Sequence, residues 1–373
     1  MFKVQIFALF ISLFSFNVIA QNNDAYVFTG TVKDIESGET LPFASVFLAN
    51  TTYGTVSNEQ GEFKLVAKQP GSYDLIVKFA GYKTFAVSYQ IFEPQTIIID
   101  VNLELETRFL GGVTVTAKRD DAWRRNLEKF KGGFLGRTGF AIQTKILNED
   151  KIEFIIDEEN DVFEAFTKEP LIIENKALGY RLKYILEEYK VYNKQGLLRY
   201  YGFPVFEEMN DDKRPKKKWV KNRDMAYYGS TDHFFSALFN NELKKEGYRV
   251  QQAKKDDGKM YLDKNETDLF PTLSEGATIN SKRLAFKDWL MITYTGGKSK
   301  KQIKPNFGGV TTLNAPNLGS APVSEISMFE DKEFIEFDSG GYVYNPIDFV
   351  VNRYWSYLKI ADLIPINYKP SVK

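Results

Sequence analysis

The chain has 373 residues, 49 basic and 49 acidic, with a single histidine and no cysteine. Zero formal charge leaves no global field that would draw it to nucleic acid, and the lack of cysteine predicts neither disulfide staples nor a cysteine-linked lipid anchor. Apolar residues at 43% and aromatics at 15% can fill two or three cores at ~100–200 residues each.

The N-terminus reads as an address. Lys3 is positive, Ile6 to Phe16 is almost wholly apolar, Val18, Ile19 and Ala20 end the segment, and the chain then turns polar. That pattern predicts a signal peptide over residues 1–20, with Gln21 as the first mature residue. As a membrane anchor, Val4 to Ala20 falls short of ~20 apolar residues and carries Gln5, Ser12, Ser15 and Asn17. The expectation is an exported chain, periplasmic or outer-membrane-associated, with no transmembrane span after cleavage.

From Tyr26 the chain alternates apolar and polar residues, with turn signals every eight to twelve positions. This predicts an antiparallel β-sandwich of about seven strands. Ala44, Val46 and Leu48 should share one face, as should Leu75, Val77 and Phe79. The loop "ANTTYGTVSNEQGEF" raises the question of a ligand site. A strand follows Gly61, where a phosphate loop needs a helix mouth, and Glu59 and Glu62 lack the spacing of a calcium loop. Gly61 is read as a turn residue with positive φ and Asn58 as a turn former.

The residues Gly30, Val32, Asp34, Gly38, Leu41-Pro42, Ala44, Val46, Gly54-Thr55, Gly61, Phe63 and Gly81-Tyr82 fall in an order that carries a resemblance. Residues 26–105 resemble the carboxypeptidase-regulatory-like domain, a transthyretin-like β-sandwich common in cell-envelope proteins of Gram-negative bacteria. The resemblance implies a non-catalytic spacer or interaction module. The module with "LGGVTVTAKRD" behind it is also similar to the N-terminal extension and coupling segment of TonB-dependent outer-membrane receptors. The 253 residues from Asp121 onward cannot supply their plug and barrel of about 22 strands. Residues 106–119 are read as a last sandwich strand or a linker.

Residues 120–373 predict a larger α+β domain with an antiparallel sheet, mainly β overall. A helix starts at Asp120-Asp121 with Trp123, Leu127, Phe130 and Phe134 on one face. Strands flank "EEN" as a hairpin. "LGYRLKYILEEYKVYN" places Tyr180, Leu182, Tyr184 and Leu186 together, and "LRYYGFPVF", "LAFKDWLMITYTG" and "EISMFEDKEFIEFD" are further strands. One helix spans about 217–228 and another 230–246, capped by Ser230 and stopped by Gly247. Phrases such as "AYYGSTDHFFSALFNNEL" resemble the long C-terminal region that accompanies the regulatory-like domain in one group of envelope proteins. That resemblance implies relatives and no reaction.

The candidate sites point away from catalysis. One histidine and no cysteine cannot build a metallocarboxypeptidase zinc site. His233 beside Asp232 and Ser230 suggests a triad, but Ser230 is needed as N-cap and adjacent residues face apart on a helix. His233 is read as a first-turn residue against aromatics. The pairs Glu158-Glu159, Glu187-Glu188 and Glu207-Glu208 point to opposite faces of a strand and cannot flank one bond. The expectation is no catalytic, cofactor-binding or metal site.

"KRPKKKWVKNR", residues 213–223, packs seven basic residues into eleven. It reads either as a solvated run balanced by Glu207, Glu208, Asp211 and Asp212, or, behind a signal peptide, as a contact for anionic lipopolysaccharide, phospholipid head groups or an acidic protein surface. The interaction candidates are Lys216, Lys217, Lys218, Trp219, Lys221 and Arg223, with Tyr354 and Trp355 from an aromatic-rich C-terminus. The leading expectation is a non-enzymatic envelope protein contacting an envelope or outer-membrane protein. Glycan binding through exposed aromatics is the alternative, and a carboxylate-based hydrolase the third reading.

Overall fold

The computed structural model describes residues 26–106, 114–116, 120–209, 215–257, 259–296 and 322–371. The predicted signal segment lies outside them. The first seven strands form two facing sheets. Tyr26–Asp34 lies between Glu62–Ala67 and Gln95–Leu103, while Gly54–Val56, Ser45–Leu48, Gly71–Lys78 and Phe85–Ile91 follow one another in the second sheet. Their inward side chains, among them Phe28, Val32, Ala44, Val46, Leu48, Leu75, Val77 and Val101, make one core. One pair departs from the antiparallel expectation, because Tyr26–Asp34 and Gln95–Leu103 run parallel with Gly30 opposite Ile99. A Cβ at Gly30 would sit 1.7 Å from the Ile99 carbonyl oxygen, so only glycine lets the two backbones approach.

The loop after Ser45–Leu48 has two parts. Its second part is a turn. Asn58 Oδ1 accepts from the backbone N–H groups of Gln60 (3.0 Å) and Glu62 (2.8 Å), and Gly61 has φ +77°. Its first part is a joint. The Asn50 N–H donates to Pro204 O (2.7 Å), Phe206 N–H to Thr51 O (2.8 Å) and Ile366 N–H to Asn50 O (2.7 Å). Phe47, Ala49 and Ile76, on the outer face of the sandwich, bury against Ile185 and Val205 of the next sheet. Both faces of this strand pair are therefore apolar.

The rest of the chain contains two further cores. Helix Asp121–Phe134 is capped by Asp120, which accepts from the Trp123 N–H at 2.9 Å. It lays Trp123, Leu127, Phe130 and Phe134 on a seven-stranded sheet whose centre is Tyr180–Tyr192. Strand Thr114–Thr116 joins this sheet by pairing with Glu153–Asp157. It is thus not a last strand of the sandwich. The other core gathers helix Thr231–Phe239, a five-stranded sheet and a three-stranded one.

Three predicted elements are divided. The helix expected over 230–246 breaks after Phe239, where Asn241 takes φ +58°, and resumes as Leu243–Glu246. Positive φ at Asp288 and Glu330 splits the strands expected near 284–296 and 325–338, sending their halves to different sheets. Residues 358–371 then return across the second core to the sandwich, where Asn367 Nδ2 donates to Thr52 Oγ1 at 2.9 Å.

Candidate functional site

Helix Lys217–Tyr227 carries most of the basic run. Its inward face is fixed by the turn 175–179. Trp219 Nε1 donates to Lys176 O at 3.1 Å, and Asn222 Nδ2 to Ala177 O at 2.7 Å. Arg223 is 2% exposed, donates to Leu178 O at 2.8 Å and forks onto Glu208 at 2.9 and 2.8 Å. Its guanidinium also lies 3.7 Å from the centre of the Tyr180 ring. Trp219 and Arg223 are therefore clamps of the fold and do not face solvent.

The outward face displays Lys216, Lys217, Lys218 and Lys221, all exposed. Lys216 Nζ lies 4.8 Å from the Trp219 ring. Of the expected balancing acids, Glu208 does pair with the run, holding the buried Arg223, while Glu207 is engaged elsewhere with Lys183 at 2.8 Å. No described residue forms an ion pair with Lys217, Lys218 or Lys221; Asp211 and Asp212 lie outside the described residues.

The C-terminal aromatics are inside. Tyr354 and Trp355 are buried in the third core, where Trp355 Nε1 donates to Gly229 O at 2.7 Å. Tyr342 donates to Asp74, and the Tyr344 hydroxyl meets Ser72 Oγ at 2.7 Å, both across the joint with the sandwich. Tyr354 and Trp355 therefore offer no free face for stacking on a sugar ring, and Tyr342 and Tyr344 are half-buried with their hydroxyls engaged.

His233 is buried in the first turn of its helix, as expected, with the Ser230 hydroxyl accepting from its backbone N–H at 3.2 Å. Its ring is surrounded by Tyr227, Tyr228, Tyr248 and Tyr294. Nδ1 meets the Tyr248 hydroxyl at 2.8 Å and Nε2 meets Glu246 Oε2 at 3.1 Å. This polar group within an aromatic cage was not foreseen, because Glu246 and Tyr248 come from beyond the helix break and carry no local signal. The arrangement satisfies a buried imidazole and leaves Ser230 committed to its cap.

Of the adjacent glutamates, Glu158 and Glu159 lie in the exposed turn between Glu153–Asp157 and Val162–Phe166 and not on a strand, while three members of the two strand-borne pairs are held by separate cations. Glu188 pairs with Arg199, Glu207 with Lys183 and Glu208 with Arg223. Other buried ionisable groups lie near the joint and the returning C-terminus. Burial pushes the Asp338 carboxyl up to about 6 despite backbone bonds from Tyr342 and Gly340. Burial likewise raises Asp362 to about 7 and lowers Lys359 to about 8. Among the described residues, no group of three or more His, Cys, Asp or Glu could hold a metal ion, and no helix is long and apolar enough to cross a membrane.

Residues 28–115 match the family model of the CarboxypepD_reg-like domain. The N-terminal sandwich is thus a carboxypeptidase-regulatory-like domain. No curated protein matches the chain. Among solved structures, it has 10% identity to catechol 1,2-dioxygenase from Acinetobacter sp. ADP1, covering 24% of this chain and 56% of that one at a TM-score of 0.18. A protein of unknown function from Bacteroides fragilis is 15% identical, with 44% of this chain and 65% of that one covered and a TM-score of 0.17. A DUF3823 family protein from Bacteroides uniformis is 12% identical, covering 50% of this chain and 100% of that one at a TM-score of 0.16. The chain therefore spans less than two thirds of the first two structures, and at these TM-scores none supports an argument about fold or activity.

Proposed function

We propose that the protein is a non-enzymatic, exported cell-envelope protein of a Gram-negative bacterium that acts by binding an acidic protein surface. The observation that carries this reading is the lysine face of helix Lys217–Tyr227. Trp219 and Arg223 anchor the helix, while Lys217, Lys218 and Lys221 stay exposed without an ion-pair partner among the described residues. Fixed like charges on one face raise encounter rates with an acidic partner and lose that effect as salt rises. The regulatory-like sandwich serves as the interaction module or spacer that the second core is bolted to.

The test is a crosslinked pull-down of the tagged mature chain from its own envelope, alongside a variant carrying Lys217→Glu, Lys218→Glu and Lys221→Glu. The expected result is one envelope or outer-membrane protein, lost with the variant and weakened by salt. Recovery of no protein above background, or equal recovery with the variant, overturns the reading.

A further inference from the structure

Beside the joint, the sandwich and the seven-stranded sheet stand apart and leave a cleft of about 270 Å³. Lys78, Lys83, Thr84 and Glu106 form one wall, and residues 167–169 and 185–187 the other. The second wall contains an irregularity in the longest strand pair of the molecule. Leu186 pairs with Gly202 and Glu188 with Tyr201, so Glu187 is an extra residue in its strand. Such a bulge breaks the alternation of side chains and re-aims one of them, and bulges concentrate beside binding sites. Glu187 lines the cleft on the same face of the strand as Ile185.

Most charges around the cleft are already matched. Lys78 donates to Tyr82 O at 2.6 Å and pairs with Glu106 at 3.4 Å, Lys83 pairs with Glu104 at 2.6 Å, and Glu169 pairs with Lys151 at 3.0 Å. Two lining charges of opposite sign, Lys168 and Glu187, form no ion pair with a described residue. Across from them, the Thr84 hydroxyl oxygen is buried and has no hydrogen-bond partner. Sealed from solvent, that oxygen is not itself open to a ligand, so the two lining charges carry the recognition.

We propose that the cleft binds a short zwitterionic peptide, its carboxylate on Lys168 and its ammonium group on the bulged Glu187. The size fits about one or two residues, at the small end of ligand pockets. A sugar is disfavoured because no aromatic side chain lines the cleft to act as a stacking platform. A simple anion is disfavoured because Glu187 would repel it. The inference is independent of the lysine helix, and the two fail or stand separately.

The experiment follows backbone amide NMR shifts of the full mature chain on titration with alanyl-alanine, N-acetyl-alanyl-alanine, alanyl-alanine amide and glucose. The expected result is a saturable shift with alanyl-alanine, centred on Thr84, Lys168 and Glu187. Blocking either terminus should weaken binding about tenfold, the scale of one charge-assisted hydrogen bond. Glu187→Gln and Lys168→Met, neither of which removes an internal ion pair, should weaken it similarly while leaving the other amide shifts in place. No saturable shift at millimolar peptide overturns the proposal. Binding of glucose in preference to peptide, or peptide binding indifferent to both substitutions, also overturns it.

Discussion

Tyr342 donates its hydroxyl to Asp74, tying the loop after strand Ile335–Asp338 to strand Gly71–Lys78 of the sandwich. The two residues are 268 positions apart, and Tyr344 adds a bond of its own to Ser72 two residues from Asp74. The joint thus has a polar half beside the apolar one made by Phe47, Ile76, Ile185 and Val205.

Removing both hydroxyls, as Tyr342→Phe with Tyr344→Phe, should lower stability by about 2–4 kcal/mol, since one bond goes to a carboxylate and one to a neutral partner. Urea denaturation followed by tyrosine fluorescence checks this. If the joint couples the sandwich to the rest, the variant's transition should also broaden or split as the m-value falls. An unchanged midpoint and m-value would mean the bonds only decorate contacts made elsewhere.

Gly30→Ala tests the parallel pairing of the first and last sandwich strands. The new methyl would meet a main-chain carbonyl at 1.7 Å, and no side-chain rotation can relieve it. The expected loss is about 3 kcal/mol, the upper part of the range for overpacking. Hydrogen exchange should rise at the amides of Gln95–Leu103 before those of the four-stranded sheet. Equal protection across both sheets would contradict the register.

The local parts of this fold were legible because their signals are local. Asn58 and Gly61 carry the chemistry of the turn they form, Ser230 and Gly247 mark real caps, and the Glu153–Asp157 hairpin sits where alternation and polar residues place it. What could not be read depends on distant partners. Phe47 and Ile76 look like breaks in alternation until Ile185 and Val205 are brought over them. Asp288 and Glu330 hold left-handed backbone that their residue types do not announce. Within the basic run, only the positions of Leu178, Gly179 and Glu208 distinguish the buried Arg223 from its exposed lysine neighbours.

Arg223→Lys should therefore cost nearly as much as Arg223→Ala. Lysine keeps the charge but cannot fork onto both Glu208 oxygens while bonding Leu178 O and lying flat on Tyr180. Loss of charge-assisted bonds predicts about 2–3 kcal/mol for either substitution, moderated because Glu208 is 42% exposed and can recover water. Lys217→Ala, nearly two turns away and exposed, should change stability by less than about 0.5 kcal/mol. Thermal or urea midpoints of the three variants decide it. A silent Arg223→Lys would show that charge alone is needed there.

Buried ionisable groups give the protein a shallow stability minimum near neutral pH. Asp338 at about 6 and Asp362 at about 7 lie above the ordinary 3.8, because burial disfavours their charged forms. The folded state then keeps protons that the unfolded chain releases, so their stabilising contribution is complete below pH 3.8 and is lost as pH rises through 6 and 7. Lys359 acts in the opposite direction. Its folded value of about 8 lies below 10.5, so stability returns as pH climbs from 8 towards 10.5. Asp34, Asp157 and Glu336 are held below their ordinary values and add no slope above about pH 5. Asp362→Asn isolates one of these effects, since the amide oxygen can still accept from Thr138 and needs no proton to be neutral. Thermal midpoints should converge for variant and wild type below about pH 4. They should separate steadily as pH rises from about 4 to 7, with the variant the more stable, and the gap should level off above 7. A difference that stays constant across that range would place the Asp362 carboxyl at an ordinary pKa and remove burial as the source of the minimum.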